Sequence, residues 1–169
     1  MKSKLFKLLK QAAQILLIVA VVGFGSDWLR RPDVPADAAQ MAVPAAGGQT
    51  ATLAQISAGR TAVLYFWGSW CSICKHTSPA VQRLHENGTP VVGVALRSGS
   101  AAEVRGYMRR QGLDFATADD PQGDIARWWG VRVTPTIVLV KNGRIVHSTT
   151  GIASYWGLAA RVWLADRLG

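Results

Sequence analysis

The chain has 169 residues, 49% of them apolar and only 17% charged, with a positive mean hydropathy of +0.15. So much apolar sequence excludes disorder throughout, because burial can offset the entropy of ordering the chain, and the length allows one domain with an appendage rather than two. The net charge of +9 raises nucleic acid as a partner, but the first 31 residues carry six basic side chains against Asp27 and no run of Lys or Arg follows, so the charge speaks to topology instead.

Lys2, Lys4, Lys7 and Lys10 precede an apolar run from Ile15 to Phe24. A basic start followed by such a run is a targeting or anchoring segment, with its lysines held in the cytoplasm and the rest of the chain exported. The strictly apolar stretch is short enough for a cleavable signal. Extended over residues 8–29, with Lys10 snorkelling and Trp28 at the far interface, it suits an uncleaved anchor. The anchor, residues 1–30, is the expectation taken: a single-pass inner-membrane protein whose domain lies on the periplasmic side. Residues 31–49 hold Pro32, Pro35, Pro44 and Gly47-Gly48 without helical or strand period, and read as a Pro/Ala/Gly linker. Residues 50–169 then form one domain.

Within that domain, Ala62 to Trp67 is a continuous apolar run of the length and composition of a strand buried on both faces, and Val91 to Leu96 reads the same way. Helices are predicted over about Ile73 to Asn87, Ser100 to Gln111, Gly123 to Trp129 and Ser154 to Leu168. Thr136 to Val140 is a third strand, and Asn142-Gly143 turns it into a fourth, Ile145 to Thr149. Strands alternating with helices and closing in a hairpin specify an α/β fold with a central mixed sheet flanked by helices.

The two cysteines form Trp70-Cys71-Ser72-Ile73-Cys74-Lys75, directly after the first buried strand. A strand feeding a helix through this motif puts Cys71 at the helix N-terminus, where unpaired N–H groups and the helix dipole stabilise a thiolate. The two-residue spacing lets Cys74 resolve a mixed disulfide formed on Cys71, which is the geometry of thiol–disulfide exchange. Other readings stay open beside it. Zinc would need Cys71, Cys74, His76 and His85 together, at a spacing poor for a tetrahedron. The dithiol alone could hold Cu(I). A structural staple would close a loop too small to matter much. His76, His85 and His147 read singly as surface or half-buried residues, so no metal site is assigned.

The run Tyr65-Phe66-Trp67-Gly68-Ser69-Trp70-Cys71-Ser72-Ile73-Cys74-Lys75, Pro79 in the next helix, Trp129-Gly130-Val131-Arg132-Val133-Thr134-Pro135-Thr136 and the Asn-Gly hairpin together resemble the thioredoxin-like superfamily. Thr50 to Gln55, resembling a leading strand and turn, and Ala118 to Gly123, resembling the stretch before an extra helix, point to its TlpA/ResA/DsbE branch. The resemblance implies an exported thiol–disulfide oxidoreductase with a thioredoxin-like fold. It implies Cys71 and Cys74 as catalytic pair, a cis Pro135 beside them, and backbone pairing of substrate with Thr134. Ser72 and Ile73 occupy the positions that tune redox poise, and Trp70 belongs to the apolar surface that meets partners. Protein thiols and disulfides are the implied substrates, a membrane electron donor of the DsbD type the implied partner, and no cofactor is needed besides the Cys71–Cys74 disulfide.

Two departures bear on mechanism. Tyr65 stands where thioredoxins bury an Asp, and Thr77 where many of the branch carry a Glu, so neither acid is present to accept the proton of Cys74. Of the remaining tryptophans, adjacent Trp128 and Trp129 cannot both face the core from one helix. Trp156 and Trp163, seven apart on one helical face, are expected in the core.

Overall fold

In the computed structural model of the protein, the residues described are 35, 37–45 and 49–168, with scattered positions between 6 and 21. The chain divides into two units, Met1–Arg31 and Pro32–Gly169. In the first, the described positions are helical and exposed. Most of the expected anchor, residues 8–29, lies outside the described residues, and among those described no helix is long and apolar enough to cross a membrane.

The second unit is built on a five-stranded sheet. Strands β3 (Thr61–Trp67), β4 (Val91–Leu96), β5 (Ala116–Asp120), β6 (Thr136–Lys141) and β7 (Arg144–Thr150) lie in the order β5-β4-β3-β6-β7. The pairs β3–β4 and β4–β5 are parallel, whereas β3–β6 and β6–β7 are antiparallel, so the sheet is mixed as expected. The period of two sorts β3 onto two cores. Val63, Tyr65 and Trp67 face one cluster with α2 (Ser72–Glu86), α3 (Ala101–Gln111) and α5 (Tyr155–Leu168); Leu64 and Phe66 face the other, beneath α4 (Asp124–Trp128). All seven residues of β3 are buried, which is why the run shows no apolar–polar alternation.

The helices form where their apolar spacing and caps demand. Cys74, Thr77, Ser78, Val81, Gln82 and Leu84 make the buried stripe of α2 at three- and four-residue intervals. Helix α3 starts on a reciprocal Ser100–Glu103 capping box and ends on Gly112 in the left-handed region. Asn142 and Gly143, both at positive φ, make the tight turn of the β6–β7 hairpin.

Two features differ from the sequence expectation. Part of the proposed linker is folded onto the domain: a 3-10 turn at Ala38–Gln40 is followed by β1 (Ala42–Pro44), which pairs antiparallel with β2 (Thr50–Thr52) ahead of α1 (Leu53–Ile56). Ala38 and Val43 are buried there, and the Trp129 indole N–H reaches the Met41 sulfur at 3.1 Å. Only Ala38, Met41 and Val43 anchor this stretch, too few apolar side chains to leave a period. Strand β5 was not expected as a strand either. Its Ala-Thr-Ala-Asp-Asp sequence has no strand pattern, and pairing with β4 supplies what propensity does not.

Trp156 and Trp163 are a correction. Both are exposed, at 73% and 53%, whereas Leu158 and Val162 face the core. At about 100° per residue, Trp156 lies some 160° around α5 from Leu158. The seven-residue spacing identified a shared face but not which face. Arg83 stacks 4.4 Å from the Tyr155 ring and Arg167 4.5 Å from the Trp163 ring, covering part of that surface. Trp129 is fully buried and Trp128 is 41% exposed, so the adjacent pair splits between core and surface as their spacing requires.

Candidate active site

The site lies at the carboxyl end of β3, where the sheet changes from parallel pairing with β4 to antiparallel pairing with β6, a common position for sites in α/β sheets. After Trp67 the chain makes a tight turn in which the Cys71 N–H donates to the Gly68 carbonyl at 3.1 Å. Gly68 is required by close approach: a Cβ there would lie 2.7 Å from the Trp70 indole. The loop after β4 fixes the turn from the other side. Ser98 Oγ accepts from the Ser69 N–H at 2.9 Å, and the Trp70 indole N–H donates to the Leu96 carbonyl at 3.0 Å.

Cys71 is the N-cap of α2 in extended conformation, and its sulfur accepts from the Cys74 N–H at 3.1 Å. The sulfur therefore sits on the unpaired donors and positive end of the helix dipole, the environment that favours thiolate. Cys71 and Cys74 are joined as a disulfide, with their Cα atoms 5.2 Å apart. Cys71 is 6% exposed and Cys74 1%, so attack from outside meets Cys71 first. The Thr134 carbonyl is 3.7 Å from Cys71 Sγ, and the Thr134–Pro135 bond is cis. Thr136 Oγ1 donates to the Val133 carbonyl at 2.8 Å and the Gly151 N–H to the Pro135 carbonyl at 2.9 Å, which ties this loop to β6 and β7.

The residues singled out from sequence thus converge. Trp70, Ile73, Trp128 and Val133 are exposed apolar side chains. Trp70 and Ile73 flank the dithiol in the chain, and Val133 directly precedes Thr134. Ser72 is exposed in the first turn of α2. The zinc grouping is not assembled: His76 is exposed, and His85, eleven residues along α2 from Cys74, pairs instead with Asp114 at 3.6 Å. Among the described residues no three His, Cys, Asp or Glu are placed to hold a metal ion. Sequence reasoning missed Ser98, whose role depends on β4 lying beside β3 and leaves no local signal.

Beneath the dithiol, Tyr65 and Thr77 occupy the positions where an acid was sought. The Tyr65 hydroxyl and Ser78 Oγ share a buried hydrogen bond at 2.9 Å. Burial pushes the Tyr65 phenol well above its ordinary range, with the bond to Ser78 pulling the other way, so it stays neutral. The single buried acid among the described residues is Asp120, whose oxygens accept from the Ile125 and Ala126 N–H groups at 3.1 and 2.9 Å at the start of α4.

This architecture has known counterparts. Residues 34–149 match the AhpC/TSA family. A thioredoxin-like protein of Haemophilus influenzae is 40% identical over 98% of this chain and 99% of its own length. The thiol:disulfide interchange protein DsbE of Pseudomonas aeruginosa is 27% identical over 82% of this chain and 81% of its own. Among solved structures, a putative thiol:disulfide interchange protein DsbE from Chlorobium tepidum superposes with a TM-score of 0.63 at 26% identity, covering 78% of this chain and 95% of that one. The chain belongs to the AhpC/TSA family, as a thioredoxin-like thiol–disulfide oxidoreductase.

Proposed function

We propose that the protein is an extracytoplasmic, membrane-tethered thiol–disulfide oxidoreductase that exchanges disulfides with protein substrates, with Cys71 as the attacking thiolate and Cys74 as the resolving thiol. The observation that carries the proposal is the position of Cys71: N-cap of α2, sulfur bonded to the Cys74 N–H, and the more exposed of the two. In the reducing direction, Cys71 thiolate attacks a substrate disulfide, forming a mixed disulfide and releasing one substrate thiolate. Cys74 thiolate then attacks Cys71 Sγ, the second substrate sulfur leaves as thiolate, and the Cys71–Cys74 disulfide remains. Two electrons pass to the substrate. Run backward, the same steps oxidise a dithiol.

Trp70, Ile73 and Val133 supply an apolar surface at the reacting sulfur, and the Thr134 backbone beside Pro135 offers pairing to an extended substrate segment. Ser72 and Ile73, between the two sulfurs, set the poise of the couple. The basic, apolar N-terminal segment supports export with residues 8–29 in the inner membrane and the domain on the periplasmic side. An exported single dithiol needs a partner to reset it, for which a membrane electron donor of the DsbD type is suited. The combination of leader, proline-rich connector and one Cys-x-x-Cys also resembles the membrane-tethered protein D of bacterial suppressor-of-copper-sensitivity systems.

The test is disulfide reduction by the full chain in detergent, with a chemical dithiol as electron source. Cys71→Ser is expected to abolish turnover. Turnover equal to that of the unaltered chain would refute the assignment. Titrating the reduced chain with Cu(I) in the same preparation separates exchange from copper handling: copper uptake without exchange activity would favour the latter.

A further inference from the structure

We propose that Thr77 is a positioning residue for the exchange reaction, its hydroxyl being the hydrogen-bond donor that holds the Cys74 thiolate in the absence of a carboxylate. The inference rests on the exchange chemistry proposed above. Thr77 is fully buried and, among the described residues, its Oγ1 has no hydrogen-bond partner while the cysteines are joined. A helical threonine ordinarily back-bonds to the carbonyl four residues earlier, and this one does not. It is three residues beyond Cys74 on the buried stripe of α2, where side chains at that interval are neighbours with Cβ atoms about 5 to 6 Å apart. Sulfur and hydroxyl oxygen each stand one bond beyond Cβ, so a rotation joins them. Ser78, the other buried hydroxyl following Cys74, is already engaged by Tyr65 at 2.9 Å.

An unpartnered buried hydroxyl is costly, and reduction supplies its partner. When the mixed disulfide is resolved, Cys74 Sγ–H gives its proton to water and Thr77 donates to the thiolate. The thiolate attacks Cys71 Sγ, the Cys71–substrate bond breaks, and the departing substrate thiolate takes a proton from solvent. Hydroxyls do not titrate in the working range, so Cys74 ionises without a coupled carboxylate. Among the described residues, the other titratable or charged groups in the cluster around it or next to it on the helix are Tyr65 on β3, Tyr107 on α3, Tyr155 on α5 under Arg83, and exposed Lys75 and His76 on α2 itself. None is a carboxylate.

The test uses the full chain in detergent, carrying Cys71→Ser and 13Cβ-labelled cysteine, with the Cys74 chemical shift followed against pH. Thr77→Val is expected to leave about tenfold less thiolate at a given pH near neutrality. Thr77→Ser should restore it, and Ser78→Ala should leave it unchanged. With both cysteines present, equilibration with glutathione should show the Thr77→Val disulfide about tenfold harder to reduce, roughly 30 mV. Meanwhile the thermal stability of the oxidised Thr77→Val chain should be equal or higher, which a structural role would not give. Should Thr77→Val fail to fold, Thr77→Ala makes the same comparison. If the unaltered chain exchanges disulfides but Thr77→Val and Thr77→Ala titrate and equilibrate as it does, the role of Thr77 is refuted while the exchange reading stands. If the unaltered chain does not exchange at all, the exchange reading falls first.

Discussion

At Asp120 two carboxylate oxygens meet two backbone N–H groups that a five-residue helix cannot satisfy internally. That bond set holds α4 on the sheet, and α4 leads through Trp129 and Gly130 into the loop that brings Thr134 to Cys71. Asp120→Ala is expected to destabilise the domain by about 1.5 to 3 kcal/mol, the range for hydrogen bonds to a charged group. Denaturant unfolding of the oxidised chain measures it, and a loss under about 0.5 kcal/mol would show the helix held by packing alone. Single residues of this kind were poorly legible in the sequence. Asp120 reads as the second of two acids before a proline, and its partners become visible only when β5 sets it under α4. Cys71 and Cys74 were legible because their chemistry is local: two thiols at a strand–helix junction need no distant residue to define them. Thr77 and Tyr65 stood out only as departures from an expected acid, and what they do instead depends on which side of α2 and β3 faces inward.

Helix α5 shows the same division among elements. Its span was legible from its run of helix formers, but two pairs of large apolar side chains competed for the core, one spaced by four residues and the other by seven. Leu158 and Val162 took it, and Trp156 and Trp163 went to solvent beside Arg83 and Arg167. The end of α5 is tied to the sheet by the Asp166 carboxylate, which accepts from the Thr61 N–H at 2.7 Å and Oγ1–H at 2.6 Å, and by Lys141 Nζ on the Ala165 and Asp166 carbonyls. Leu158→Ala is expected to cost about 2 to 5 kcal/mol, against no more than about 0.5 kcal/mol for Trp156→Ser. Equal losses in thermal or denaturant unfolding would show that the outer face of α5 is packed in solution. Strands β3, β4, β6 and β7 were legible because apolar runs bounded by Gly, Asn or Pro leave few alternatives. Strand β5 and the Ala38–Pro44 stretch were not. Edge pairing and a few buried small side chains define them, and neither leaves a periodic trace.

Across the whole molecule, the mixed sheet puts one end of β3 under three converging features: the N-terminus of α2, the loop after β4 and the turn into β6. Among the described residues none of these supplies a carboxylate to the dithiol; what they do supply is a helix N-terminus and a backbone donor to the Cys71 sulfur. The fold class followed from the alternation of strands and helices, whereas the convergence depended on strand order, which a run of apolar residues does not state. What the molecule then does turns on which sulfur a substrate meets. Trapping reports this directly: the full chain with Cys74→Ser, reduced and then exposed to oxidised glutathione, should accumulate a mixed disulfide on Cys71 that peptide mass mapping identifies. A Cys71→Ser chain that forms its adduct on Cys74 as fast, or a Cys74→Ser chain whose Cys71 takes up no glutathione, would contradict the account.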